Sequence, residues 1–352
     1  MTRHQQALSI LQSGVAIPAI PLVLTSERAF DADGQKRLVR YYAQAGAGGI
    51  AAAVHSTQFA IRDKKHNLLT PVLETVSKEI DRIEQESGKV LVKIAGVCGP
   101  TEQACMEAAL AERLGYDAVL LSPGGLDTWT EEQMLERARS VAAVMPVIGF
   151  YMQKAVGGRQ LSRDYWRRMA DIPNLVAIKC ACFDRYQTED LVKGVMLSKR
   201  GDQVALYTGN DDHIIFDLLT PFSCVVEGQV KTKNFVGGLL GQWSVWTHTA
   251  VELFQACREC QKSGTVPLSL LTVAEQLTEC NRAVFDAENA FAGCIPGIHY
   301  VLCEQGLMPG IWCLDPEETL SPGQAADIQA VRAAYPHITD DPFVREFLAR
   351  EK

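Results

Sequence analysis

The chain has 352 residues, 47% of them hydrophobic, and its 34 basic and 42 acidic residues leave a formal net charge of -8. Such a length and composition can bury a large core, while the charge balance offers no general attraction to nucleic-acid backbones or anionic lipid, so neither is expected as a partner. The opening MTRHQQALSILQSG lacks a cationic stretch leading into an apolar core, and no run approaches the roughly 18 to 20 apolar residues of a membrane span. A soluble, cytoplasmic protein is expected.

Along the chain, apolar strand-like runs alternate with longer segments of helical period, at intervals of about 30 residues, the size of one βα unit. The runs are AIPAIPLVL (16–24), GGIAAAV (48–54), VLVKIAGV (90–97), YDAVLLS (116–122), PVIGFYM (146–152), LVAIKC (175–180), VALYTG (204–209) and SCVVEG (223–228). Between them lie helical patterns such as TEQACMEAALAERLG, with Thr101 placed to cap the start and Gly115 to end it. Eight such units without an antiparallel hairpin signal predict a closed (β/α)8 TIM barrel over residues 1–245. Helical patterns at 246–263, 267–291 and 322–334 then predict a C-terminal helical region over 246–352.

Cofactor and metal signals are sparse. AGAGGI (45–50) leads into a strand instead of following one, which argues against a dinucleotide-binding loop, and nothing points to a nucleotide, flavin or pyridoxal group. Eleven scattered cysteines suit a reducing compartment. Cys180/Cys182 and Cys257/Cys260 are close enough to act in pairs, but Cys257-x-x-Cys260 sits in a helical pattern without a second pair, so buried cysteines are expected there and not zinc. The seven histidines include no close pair, and no metal is expected. Gly228 closes the eighth run and Gly237 and Gly238 come after it, where barrels often bind phosphate; helix packing explains Gly237-Gly238 equally well.

In a barrel, function gathers at the C-terminal ends of the strands. NLVAIKCACFD places Lys179 at such an end, after an apolar run. Alternation puts Leu175, Ala177 and Lys179 on one face, and Val147, Gly149 and Tyr151 on one face of the preceding strand. If both sets face the barrel, two polar heads share a small hollow above Gly149 and Ala177. A desolvated lysine there has a larger neutral fraction able to attack a carbonyl, forming a protonated Schiff base that acts as an electron sink, with Tyr151 as proton carrier. A lysine that snorkels out of the barrel or pairs with Asp184 or Glu227 is the other reading. Lys93, deeper in its strand, is a rival, better suited to an internal ion pair.

These residues carry a resemblance to the dihydrodipicolinate synthase and N-acetylneuraminate lyase family of class I aldolases. PVIGFYMQKAVGG resembles its fifth-strand segment with the catalytic tyrosine, NLVAIKCACFD its sixth-strand segment with the Schiff-base lysine, LYTGNDD its seventh strand end, and CIPGIHYVLCEQGLMPG its C-terminal helices. The resemblance implies Lys179 as Schiff-base former, Tyr151 as general acid/base, a 2-oxo acid such as pyruvate as substrate, and a homo-oligomer, dimer or tetramer. Val54-His55-Ser56-Thr57-Gln58 departs from the family's Gly-Thr-Thr-Gly-Glu, and the loop tyrosine of the synthase is replaced by Ser122-Pro123-Gly124-Gly125. Ser56 and His55 are candidate proton movers, although a His55 bonded to a neighbouring loop is equally open; Thr57 with Ser56 would hold the carboxylate, and Lys154, Arg159 and Asp211 would line the variable end of the pocket. A second substrate other than that of dihydrodipicolinate synthesis is expected. A non-catalytic, small-acid-binding paralogue is the alternative.

Overall fold

The structure is a computed structural model describing residues 1–351. The strands are β1 (Ala16–Pro18), β2 (Gly49–Ala52), β3 (Val92–Val97), β4 (Ala118–Leu121), β5 (Val147–Met152), β6 (Leu175–Ala181), β7 (Ala205–Thr208), β8 (Phe222–Val226), β9 (Gln229–Lys233) and β10 (Phe235–Leu240). The helices along the barrel portion are α1 (Arg3–Ser13), α2 (Ala32–Gln44), α3 (Leu69–Ser87), α4 (Thr101–Arg113), α5 (Glu131–Ala142), α6 (Arg163–Ala170), α7 (Arg185–Leu197) and α8 (Ile214–Leu219). The C-terminal portion adds α9 (Thr247–Ser263), α10 (Leu268–Val284), α11 (Cys294–Glu304), α12 (Gln324–Ala334) and α13 (Asp341–Arg350). Among the described residues, no helix is long and apolar enough to cross a membrane.

Eight strands form one sheet in the order β1, β10, β7, β6, β5, β4, β3, β2. A bridge between Ala19 and Ala51 joins the two ends of that order. The fold is therefore a (β/α)8 barrel with a C-terminal helical part. Its strands are apolar runs buried on both faces, as in β3, where all six residues are buried. By contact density the chain divides into two compact units, residues 1–15 with 92–239, and residues 16–91 with 240 onward.

In the first unit, the pairings from β3 to β7 and on to β10 are parallel. The eighth barrel strand is not SCVVEG. Glu227 and Gly228 take φ of 51° and 78°, the left-handed pair of a two-residue hairpin turn, and they fold β8 back antiparallel onto β9. Exposure alternates along β8, and the cross-strand pair Val225 and Val230 is 66% and 74% exposed. FVGGLL supplies the barrel strand instead. Its glycines weaken the strand signal in the sequence, yet the packing requires one: a Cβ on Gly237 would lie 2.4 Å from the Val15 carbonyl oxygen and 2.9 Å from the Tyr207 ring. Gly237 thus reflects strand packing, not helix packing.

Helix boundaries differ from the predicted ones at two points. Pro100, in extended conformation, occupies the cap position of α4, and Thr101 is the first helical residue; Gly115, at φ 79°, follows its end. In the second unit α10 stops at Val284 rather than running to 291, because Asp286 turns left-handed (φ 57°) and its carboxylate accepts hydrogen bonds from Gly293 N (2.9 Å), Ser321 Oγ (2.5 Å) and Asn289 Nδ2 (2.6 Å). Bonds of that kind make the segment a tied turn. Cys257 and Cys260 are buried on α9.

Candidate active site

The register of β6 with its neighbours decides which side chains meet at its end. Phe150 and Tyr207 pair with Lys179, whereas Tyr151 and Thr208 pair with Cys180. Residues paired in register share a sheet face, and successive residues alternate. Lys179 is 9% exposed, and its Nζ lies 4.6 Å from the centroid of the Phe150 ring.

The stem of Lys179 runs against the end of β7. A Cβ on Gly209 would sit 2.4 Å from Lys179 Cε and 2.9 Å from the Ala181 Cβ. Any larger residue there would force the lysine stem to move. Burial pulls the pKa of the amine down to about 8, with the negative charge of Asp211 opposing that shift. About a tenth of the amine is therefore neutral at pH 7 and about half near pH 8.

Tyr151 lies on the other face, contrary to the expected shared hollow. Its ring is 4.9 Å from that of Trp166 on α6, its hydroxyl donates to Gln187 Oε1 on α7 at 2.6 Å, and it accepts from Leu161 N at 3.2 Å. Burial raises the phenol's pKa. Gly149 belongs to the same face, packed against Met169 and Ile178. The physical reason is a register shift. Val147 pairs with Leu175, but Ile148 pairs with Ala177, so the irregularity between Val147 and Ile148 moves every later partner by one residue. Simple alternation would have set Tyr151 beside Lys179; the shift sets Phe150 there.

Behind Cys180, on the Tyr151 face, lies a polar network that sequence reasoning did not find. The Cys180 and Cys182 sulfurs are 3.8 Å apart, and Cys182 Sγ is 3.3 Å from Thr188 Oγ1. Burial pushes the Cys180 thiol well up, whereas a hydrogen bond from Cys180 holds that of Cys182 down. Fully buried Asp217 accepts from Thr208 Oγ1 (2.7 Å), Asn210 Nδ2 (2.8 Å) and Arg185 Nη1 (2.5 Å), and Asn210 Oδ1 accepts from Phe183 N (3.0 Å). The signal for it lay in LYTGNDD, whose buried asparagine is the hub.

The other candidates fall as follows. Lys154 is exposed on a short 3-10 turn, Lys154–Val156. Arg159 donates to the carbonyls of Asp127 and Trp129, so it holds the loop after β4. Lys93 is buried on β3, and its backbone N–H donates to Asp117 Oδ2 at 2.9 Å.

His55, Ser56 and Thr57 belong to the second unit, in a 3-10 turn entered through Ala53 at φ 58°. Ser56 Oγ donates to the Ala19 carbonyl (2.7 Å), and Thr57 Oγ1 to that of Ile20 (2.7 Å). Thr57 N donates to the Val54 carbonyl (3.0 Å). Both hydrogens of Thr57 are thus engaged in bonds that tie the turn's own loops together. The His55 ring packs 6.0 Å from that of Phe59.

A model of the dihydrodipicolinate synthetase family matches residues 14–316, and the chain belongs to that family. It is 27% identical over 202 residues to a 4-hydroxy-tetrahydrodipicolinate synthase of Laribacter hongkongensis, a match covering 56% of this chain and 63% of that enzyme, less than two thirds of its length. It is 23% identical over 281 residues to an N-acetylneuraminate lyase of Escherichia coli, covering 78% of this chain and 82% of the lyase. Among solved structures, the dihydrodipicolinate synthase of Oceanobacillus iheyensis superposes with a TM-score of 0.72 at 17% identity, covering 95% of this chain and 99% of that one. An Escherichia coli prophage protein of the dihydrodipicolinic acid synthase family, crystallised with pyruvate, superposes with a TM-score of 0.73 at 16% identity, covering 91% and 98%. At these identities the structural likeness concerns the fold.

Proposed function

We propose that the chain is a Schiff-base-forming lyase, either aldolase or dehydratase, that acts on a 2-oxo acid through Lys179. The observation that carries this reading is a buried, strand-end lysine whose amine is partly neutral near pH 8. The neutral amine attacks the keto carbon, and loss of water leaves a protonated imine. The protonated imine draws in the electron pair of the adjacent bond as that bond breaks. In the aldol case the departing fragment leaves as an aldehyde, its hydroxyl proton passing to solvent, and the resulting enamine takes up a proton, after which water hydrolyses the imine and releases the 2-oxo acid and Lys179. Asp211 and Lys154 are the candidates for contacts with the far end of the substrate. Family membership and the pyruvate complex of one structural neighbour support the choice of acid. A dimer or tetramer in solution and a substrate pair other than that of dihydrodipicolinate synthesis belong to the same reading.

The test is incubation with pyruvate and borohydride, followed by intact-mass measurement and peptide mapping. Reduction freezes the imine as a stable amine on Lys179, and Lys179→Ala is expected to lose the adduct entirely. If Lys179→Ala acquires the same adduct elsewhere, or wild type acquires none from a panel of 2-oxo acids, the reading fails. One observation favours a second reading, a non-catalytic acid-binding paralogue: the side chain on β5 that faces Lys179 is Phe150, which has no proton to give. Under that reading a 2-oxo acid raises the melting temperature of wild type and Lys179→Ala equally.

A further inference from the structure

We propose that Phe150 is the positioning residue for the Lys179 amine, holding it on the face of its ring between β5 and the end of β7. The proposal rests on the reading of Lys179 as the reactive amine, but it concerns where the amine sits and how readily it is charged, not whether an imine forms.

Three features of the first unit converge on it. The shifted register of β5 against β6 puts Phe150, not Tyr151, beside Lys179. The Nζ–centroid distance of 4.6 Å falls within the roughly 6 Å at which a ring quadrupole attracts a cation. From the opposite side, Gly209 admits the lysine stem at a distance that any Cβ would close. Ring and strand end therefore bracket the lysine side chain from two sides. A phenyl ring carries no exchangeable proton, so it orients the amine and favours its charged form, and later that of the protonated imine, without moving a proton itself.

Tyr207, the register partner of Lys179 on β7, directs its hydroxyl to the Leu11 carbonyl at 2.6 Å. Asp211, beyond the end of β7, supplies negative charge. Cys180 and Cys182 follow Lys179 in sequence but lie together on the Tyr151 face.

The experiment measures labelling of Lys179 by cyanate as a function of pH, quantified by peptide mass mapping, in wild type and in Phe150→Leu, Phe150→Met and Phe150→Tyr. Cyanate reports the neutral amine whether or not an imine can form. The wild-type midpoint is expected at about 8. Removing the ring while keeping apolar volume, in Phe150→Leu or Phe150→Met, is expected to lower the midpoint by roughly one pH unit, since the ring stabilises the charged form. Phe150→Tyr keeps the ring face and should stay within roughly 0.3 units of wild type. Asp211→Asn should also lower the midpoint, and the two effects should add.

A purely structural role for Phe150 would change melting temperature without moving the midpoint, and that result overturns the proposal. Two aliphatic variants guard against one failing to fold. A ring-dependent midpoint without any pyruvate adduct would sink the proposed function and leave the positioning role standing. An adduct on Lys179 with a midpoint indifferent to the ring would do the reverse.

Discussion

The two faces at the ends of β5 and β6 are built from adjacent residues and obey opposite rules. On one, Lys179 stands against a phenyl ring and a glycine, and its charge is disfavoured by burial. On the other, Tyr151, Cys180, Cys182, Thr188, Asn210 and Asp217 are joined to one another or to α6 and α7 by hydrogen bonds and ring packing. A buried polar group that is bonded stabilises the fold, whereas burying a charged amine costs stability and enlarges its neutral, reactive fraction. The face with that desolvated amine is the one read as the active site.

That contrast can be broken most strongly at Lys179 itself. Its pKa in the folded chain, about 8, lies below the ordinary 10.5. Below about pH 8 the folded and unfolded chains are both protonated and the burial cost is fully present; between 8 and 10.5 the unfolded chain binds the extra proton, so stability rises with pH. Lys179→Met is expected to be more stable than wild type by about 3 kcal/mol at pH 7. Urea unfolding at pH 7 and at pH 10 should show the gap narrowing at the higher pH.

Gly209→Ala attacks the same face by geometry. Displacing the amine by the ångström or so that a Cβ demands should slow borohydride trapping by about 100-fold, or about 2.7 kcal/mol, and the contact with the Ala181 Cβ should lower the melting temperature as well.

On the bonded face the readouts exchange places. Asp217→Asn, which weakens three hydrogen bonds to a buried carboxylate, should cost about 2 kcal/mol of stability and leave the cyanate midpoint of Lys179 where it was. Tyr151→Phe removes one hydroxyl and its two bonds, at about 1 kcal/mol. Trapping by pyruvate should be unchanged in that variant; a large loss would return Tyr151 to the chemistry and contradict the register.

Much of this was legible in the residues. The βα alternation follows from apolar runs that must be buried on both faces, and the strand-end position of Lys179 follows from LVAIKC alone. Other parts were not. FVGGLL hides as a strand because its glycines contribute no side chain to the pattern, and the reason for Gly237 is a backbone approach from Val15, far away in sequence. SCVVEG reads as a barrel strand because a hairpin and a buried strand share apolar composition; the Glu227-Gly228 turn distinguishes them through backbone angles.

The sequence by itself determined the fold class, the order of units and the lysine at the end of the sixth strand, because these depend on burial and period, which are local properties of a run. Tertiary structure decided which aromatic residue meets that lysine. Strand alternation has a period of two, so one irregular pair between Val147 and Ile148 exchanges the faces of everything after it, and pairing between two strands is not written in either one.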